Sequence, residues 1–545
     1  MRKLGSSILF LALLLGAAAA RAVDQPTTLD QVIDRVVAME NAHNLLMRRY
    51  HPLVETYIQN LKADKALGSV PAGDKYFVGR ADFTKGITLS SLSSMGPGQK
   101  IAAFMSSLLP GGVEYLPEGF LEMIFLDTGG FDKRHYKFDY VRREFLGEVR
   151  CFVFDVTPLP KSGKGRFLGR IWVEDQGFNI VRFNGDYQGG SGYFHFDSWR
   201  TNAQPGLWLP SFIYSEETAT NAVHFKSQTR LWGYNLGHAQ QEQELSKILV
   251  ETPVADETKT ANDLTPVQAQ RYWDRQAEDN VVDRLQRVGL IAPPGEVDKV
   301  LDTVVNNLEV TNNLDIQPEI RCRVLMLTTL ESFTLGHTII LSRGLVDVLP
   351  DEASLAAIVA HEMGHVILAH RMDTQYAFFD RLLVQDKQTF RHFFFARTPG
   401  EEQAASDKGA ELLRNSPYKD QLGTAALFLQ ALDARAKEIP NLVSPHLGNR
   451  VPEIASVKTV ASVDTKANPQ KIAALPIGGR IKLDPWDDNL LLLKSKPVGT
   501  VAEREKMPFE VTPFMPYLVR YGGENTKPVE AAASDSKADT PKKPD

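Results

Sequence analysis

Cysteine is nearly absent: Cys151 and Cys322 are the two in 545 residues. Two thiols cannot build the disulfide framework by which small exported domains compensate for a thin core. With no second Cys or His at ligand spacing, neither belongs to a Cys-based metal site. Each lies in an alternating apolar run, which leaves one disulfide or two buried thiols as open alternatives. A basic excess is missing too. The 61 Lys and Arg against 67 Asp and Glu give a formal charge of −6, so no global field draws the chain to nucleic acid, and none is expected as a partner. Long apolar runs are also lacking: no uninterrupted stretch reaches the ~20 residues that a membrane-spanning helix needs. The expectation is a soluble mature chain without a transmembrane span. What remains is ordinary globular composition, 43% hydrophobic and 23% charged, with length for two to four domains of roughly 100–200 residues each.

Residues 1–22 begin with Arg2 and Lys3, continue through a short apolar run to Leu15, and close on Ala20-Arg21-Ala22. A charged start, a short apolar middle and a small-residue exit read as a secretory signal, which predicts an exported protein, periplasmic or secreted. Thr28-Leu29-Asp30-Gln31 reads as a capping box opening an amphipathic helix within residues 23–66. Residues 67–250 change texture. Runs such as Cys151-Phe152-Val153-Phe154, Arg170-Ile171-Trp172-Val173 and Tyr193-Phe194-His195-Phe196, separated by Gly, Asn, Asp and Pro, predict an antiparallel β domain with a largely aromatic core. Polar residues 251–290 read as a linker turning into a short helix. A third domain, 291–480, has helical spacing at Val300, Leu301, Val304 and Val305, two strand-like runs at 322–327 and 338–342, and a long helix from about Asp351 to Arg371. A C-terminal extension (481–522) and a disordered tail (523–545), rich in Pro, Ala, Ser, Lys and Asp, complete the chain. The fold class is therefore α+β, an antiparallel sheet followed by a mostly helical domain.

The long helix contains His361-Glu362-Met363-Gly364-His365. Residues four apart share a helical face, so both imidazoles can point at one ion with Glu362 beside them. Zinc suits such a set: it accepts imidazole nitrogen, leaves a position open, and brings a bound water to a pKa of roughly 7, within reach of a carboxylate base. A third ligand is required. A second downstream His in the register that some zinc proteases use is absent, since Leu368 and Arg371 occupy those places and His370 is one residue off. A carboxylate on another helix is the alternative, and Glu401 and Glu402 both supply one.

Residues 290–460 resemble the zinc metallopeptidases of the HtpX-type heat-shock protease and CAAX prenyl endopeptidase family, gluzincins with exported bacterial members. The resemblance rests on the strand and turn at 338–346, the run 354–360 leading into His361, and His370 at the helix end. It also rests on Glu402, Ala405 and Gly409, which fit the family frame around its third ligand. It implies zinc held by His361, His365 and Glu402, Glu362 as general base, and an HExxH zinc-metallopeptidase domain. The family's Asp four residues after the ligand Glu is Ser406 here, with Asp407 next; either Ser406 or Asp407 is left to orient a ligand His. The family's His and Arg beside the substrate are matched in type, though not in spacing, by His446 and Arg450. The resemblance assigns these to the oxyanion, and a polar surface loop is the other reading. The strand at 338–342 reads as an edge able to pair with an extended substrate. Aromatic residues at 376–379 and 390–395 read as core packing. Residues 67–250 are loosely similar to periplasmic lipoprotein-carrier sheets.

The function expected is an exported zinc-dependent endopeptidase, one Zn2+ per chain, acting on polypeptides such as unfolded envelope proteins. The alternative is a non-catalytic chaperone or a lipid- or peptide-binding protein that retains a peptidase-like domain.

Overall fold

The computed structural model describes residues 28–64, 68–92, 117–188, 193–219, 222–234, 266–370, 397–444 and 447–451. It also describes 481–483, 490–492, 509–513, 515–521 and the single residues 26, 236, 395, 475 and 477. The signal-like segment, the tail, the aromatic segment other than Phe395, and His446 lie outside the described residues.

Helix α1 (Leu29–Met47) starts at the expected capping box: Thr28 Oγ1 accepts from Gln31 N and Gln31 Oε1 accepts from Thr28 N, both at 3.3 Å. It stops at Met47, well short of residue 66. Pro52 disfavours helix at the residue before it, and the β-favouring run from Leu53 begins strand β1 (Leu53–Asp64). The sheet continues with β2 (Gly68–Asp82) and β3 (Thr88–Ser91); after helix α2 (Pro117–Glu122) come β4 (Tyr136–Leu146), β5 (Val149–Pro158), β6 (Phe167–Glu174), β7 (Ile180–Tyr187), β8 (Tyr193–Gln204), β9 (Leu207–Ala219) and β10 (Ala222–Trp232). The order is β3-β2-β1-β10-β9-β8-β7-β6-β5-β4, antiparallel throughout.

Both faces are buried over the central strands, because strand alternation sends neighbouring residues into different cores, while the edge strands β3 and β4 are largely exposed. Val54, Ile58, Phe154, Ile171, Phe183 and Phe196 join α1 and α2 in one cluster. Leu53, Tyr57, Val153, Trp172, Trp199 and Trp232 join a second cluster that runs on into the helical part of the chain. Cys151 and Cys322 are both free and buried.

Helix α3 (Pro266–Val288) spans 23 residues, so most of the expected linker is an element in its own right. Its Val281, Val282, Leu285 and Val288 pack into the second core, and Glu278 accepts from His337 N at 3.0 Å. Helix α4 (Glu296–Thr311) turns an apolar stripe inward: of the expected positions Leu301, Val304 and Val305 are buried and are joined by Leu308, while Val300 lies off the stripe and is exposed. Strands β11 (Arg321–Leu325), β12 (Glu331–Leu335) and β13 (Thr338–Ser342) follow, then α5 (Arg343–Val348), α6 (Glu352–Ile367), α7 (Pro399–Arg414), α8 (Leu422–Arg435), the short α9 (Pro440–Val443) and β14 (Asn449–Arg450). The small sheet runs β11-β13-β12-β14. Strand β13 is therefore interior, parallel to β11 and antiparallel to β12, and every residue of it is buried. The edge expected at 338–342 is not one, because the intervening β12 folds back against it.

Polar clamps join the two regions. Glu55 on β1 accepts from Thr328 N at 2.5 Å, Thr328 Oγ1 at 2.6 Å and Arg343 Nη2 at 2.8 Å in the interior, and from the half-buried Tyr76 Oη at 2.7 Å. Asp74 on β2 accepts from the backbone of Asn441 and Leu442 at the start of α9. Further along the chain, Gln59 bonds the backbone of Phe509 and Val511, and Glu148 N donates to Leu518 O. Phe509, Val511 and Leu518 of the C-terminal extension thus lie against the large sheet. Among the described residues, no helix is long and apolar enough to cross a membrane.

Candidate metal centre

Helix α6 is apolar around most of its circumference, the pattern of a helix buried on all sides. Asp351 caps it, accepting from Ser354 N at 2.8 Å. Residues 353–366 are all buried, His361, Glu362 and His365 included. The helix ends at Ile367. Ala369 then adopts φ 51°, a left-handed conformation that turns His370 back toward the helix, where its ring meets that of His365.

Helix α7 is capped by Thr398 in a reciprocal box with Glu401, and Pro399 fits the first turn. The cap decides between the two adjacent acids. Glu401 Oε2 accepts from Thr398 N at 3.0 Å and from Thr398 Oγ1 at 2.9 Å, so its carboxylate is committed to the helix start. Glu402, one position on, turns inward and is buried.

Two glycines bring the helices together. A Cβ on Gly364 would stand 2.4 Å from the carbonyl oxygen of Ala405, and one on Gly409 would meet the Ala360 backbone at 3.0 Å. Only a residue without a side chain permits backbones this close, and the approach lets a Glu on α7 reach imidazoles on α6. Glu402 Oε2 lies 3.1 Å from His361 Nε2, and Oε1 lies 3.4 Å from His365 Nε2. The two Nε2 atoms are 3.3 Å apart, and one donor atom from each of the three residues fits within a 4.8 Å span. Burial pushes the Glu402 carboxyl up, but the hydrogen bonds and charges of His361 and His365 outweigh it and hold the group at about 2.

The other ring nitrogens have partners as well. His361 Nδ1 is 3.2 Å from Ser406 Oγ, and His365 Nδ1 is 2.9 Å from His370 Nδ1. Of the two residues left open to orient a ligand His, the structure puts Ser406 there. Asp407 instead accepts from Gln403 Nε2 on the exposed side of α7. Two imidazole nitrogens and a carboxylate converging in the interior, each ring fixed through its second nitrogen, form a donor set that fits a tetrahedral divalent cation with one position left open.

Glu362 is 1% exposed. Its oxygens accept from Ser332 Oγ at 2.6 Å and Thr334 Oγ1 at 2.5 Å, both on β12. Arg397 Nη2 donates to the carbonyl of Thr334 at 3.1 Å. Burial lowers the Arg397 pKa, while the charges of Glu362, Glu401 and Glu402 counter it, which places this cation in the field of the site. Sequence reasoning missed Ser332, Thr334 and Arg397. The available signal was two hydroxyl residues at alternate positions of the run Glu331-Ser332-Phe333-Thr334-Leu335, set between two strand-like runs. Of the oxyanion candidates, Arg450 lies in β14, its residue paired with Glu331 of β12, and His446 is outside the described residues. Phe395 is buried as expected and stacks on Phe333 with ring centroids 4.9 Å apart.

Residues 313–399 match the model of peptidase family M48. The match includes α6 with His361, Glu362 and His365, ends three residues before Glu402, and supports the M48 zinc metallopeptidases as the family of this region. No curated protein matches the chain. Among solved structures, the chain is similar to an outer membrane lipoprotein-sorting protein domain from Vibrio parahaemolyticus, at 11% identity over 40% of this chain and 99% of that one, with a TM-score of 0.22. It is also similar to a LolA superfamily protein from Nitrosomonas europaea, at 11% identity over 38% and 93%, with a TM-score of 0.21. Likenesses this distant carry no argument.

Proposed function

We propose that the chain is an exported, zinc-dependent endopeptidase of the HtpX-like kind, hydrolysing peptide bonds of polypeptides in the cell envelope, unfolded proteins among them. The observation that carries the reading is the convergence of His361, His365 and Glu402 beside the buried Glu362, inside and next to the M48 match. The charged, apolar and small-residue pattern of residues 1–22 supports export.

In this reading His361 and His365 through Nε2, and Glu402 through its carboxylate, hold one zinc ion. When bound, the ion supplies Lewis acidity to the scissile carbonyl and makes a nearby water acidic enough to be deprotonated at neutral pH. Glu362 takes that proton on a carboxylate oxygen and returns it to the leaving amine. Ser406 and His370 hold the two ligand rings so that their Nε2 atoms face inward. Arg450, with His446, is proposed to stabilise the developing oxyanion. The contact between Ser406 and His361 supplies a ring partner where the family has Asp, which removes a main support of the non-catalytic alternative.

The test is elemental analysis of the purified mature chain beside Glu402→Ala. About one zinc per chain is expected, with loss or strong weakening in the variant. A wild-type chain that stays metal-free when zinc is offered overturns the reading.

A further inference from the structure

Strand β12 carries two hydroxyl residues, Ser332 and Thr334, spaced so that they lie on one face of the strand. Both are buried. Ser332 Oγ donates to Glu362 Oε1 and Thr334 Oγ1 to Oε2, and Thr334 Oγ1 also lies 3.3 Å from the main-chain carbonyl of Glu362. One carboxylate is thus held at both oxygens by a single strand. An ionised carboxylate has about four lone-pair sites, so each oxygen retains capacity for a further proton donor.

The strand that does the holding is itself fixed on every side. It pairs with β13 through four registered residues and with β14 at Glu331 and Ser332. Arg397 takes the Thr334 carbonyl. Phe333 lies against Phe395, whose own N–H donates to Leu447 O. Glu331, at the head of the strand, accepts from Leu447 N at 2.9 Å and Gly448 N at 3.0 Å. A side chain anchored to such a frame loses the torsional freedom that a Glu otherwise keeps.

We propose that Ser332 and Thr334 are positioning residues for the general base: they fix the plane and reach of the Glu362 carboxylate so that proton transfer occurs without a search. The proposal rests on the endopeptidase reading above. If the two hydroxyls only satisfied a buried charge, removing them would cost stability and leave the chemical step alone. If they position the base, a displacement of about 1 Å is enough to cost on the order of 100-fold in turnover.

The test uses the full mature chain, denatured casein as substrate, chelator competition for zinc, and denaturant midpoints of the metal-free protein. Ser332→Ala and Thr334→Val singly lower kcat about tenfold and together about 100-fold. KM and zinc affinity stay within about twofold. Ser332→Thr and Thr334→Ser, which keep a hydroxyl, hold kcat within about threefold of the parent, and they keep the test alive should the double variant fail to fold. In metal-free protein, the midpoint shifts of Thr334→Val and Glu362→Gln are non-additive, as contacting residues require. An unchanged or raised kcat in the double variant, or additive midpoints, overturns the clamp while the endopeptidase reading stands. A zinc-loaded wild type that cannot cut casein overturns both.

Discussion

Buried acids are handled differently in the two regions of the molecule. Two of those packed against the large sheet are matched by guanidinium groups: Glu40 on α1 accepts from both terminal nitrogens of Arg200 at 2.6 and 2.7 Å, and Asp197 takes Arg182 in the same two-pronged way. Arg182 is further enclosed by the rings of Trp172 and Trp199. Around the candidate metal centre the hydrogen bonds come from uncharged or titratable groups instead. Glu362 is held by hydroxyls, Glu402 by imidazoles, and Glu331 by backbone N–H groups and Thr329. An acid locked to a guanidinium has its charge neutralised in place and serves shape. An acid held by hydroxyl or imidazole donors keeps a charge that chemistry can use.

Four substitutions break or sharpen this contrast. Glu362→Gln removes a usable charge with little change of volume; cleavage should fall by at least about 10³-fold, while zinc content by elemental analysis and the melting temperature stay near the parent values. Arg200→Met should do the reverse. It strands Glu40 in the interior, at a cost of about 3–5 kcal/mol in denaturant unfolding, and a second change, Glu40→Leu, should recover most of the loss. If Glu362→Gln unfolds the protein or Arg200→Met is silent, the contrast is wrong. Gly364→Ala forces a methyl against the Ala405 carbonyl. It should cost about 1–3 kcal/mol and weaken zinc about tenfold in chelator competition as Glu402 is pushed away.

The smallest effect concerns a third kind of acid. Asp298 accepts from Gly295 N at 2.6 Å at the start of α4; burial raises its pKa to about 6, with that hydrogen bond opposing. An unfolded Asp titrates near 3.9, roughly two units lower. The folded chain therefore binds more protons than the unfolded chain between about pH 4 and 6, and stability falls as pH rises through that window. Asp298→Asn should remove the dependence and add about 1 kcal/mol at pH 7, with no gain below pH 4. Denaturation midpoints at pH 3.5 and 7 check it.

Much of the candidate metal centre was legible because its spacing is local. His361 and His365 are one helical turn apart, and helix spacing alone aligns them. The choice of Glu402 over Glu401 came from the family frame, and its physical basis, the Thr398 cap that occupies Glu401, is local as well. Most strands of the large sheet could be read from alternating apolar runs, as in β5, β6 and β8. What could not be read depends on contacts distant in sequence. Residues 53–64 continue an apolar pattern that suits a helix, and their pairing with β10, some 170 residues away, decides for a strand. The interior place of β13 depends on β12, a short run whose Glu, Ser and Thr disguise a wholly buried strand. The hydroxyls that reach Glu362 do so across about 30 residues, a relation that no spacing rule contains.

Over Leu53 to Gln59, strand β1 has no outer side. Val54 and Ile58 belong to one core, Leu53 and Tyr57 to the other, and Glu55 carries the countercharge of Arg343. A chain cut between the regions would leave a guanidinium stranded in one piece and a stripe of apolar surface on each. The two parts should therefore melt as one cooperative unit, with a single calorimetric transition, and a fragment starting at α3 should be recovered only as aggregate. Any substitution that loosens the sheet then reaches the candidate metal centre as a higher population of the opened state, with no wire of residues needed to carry the message.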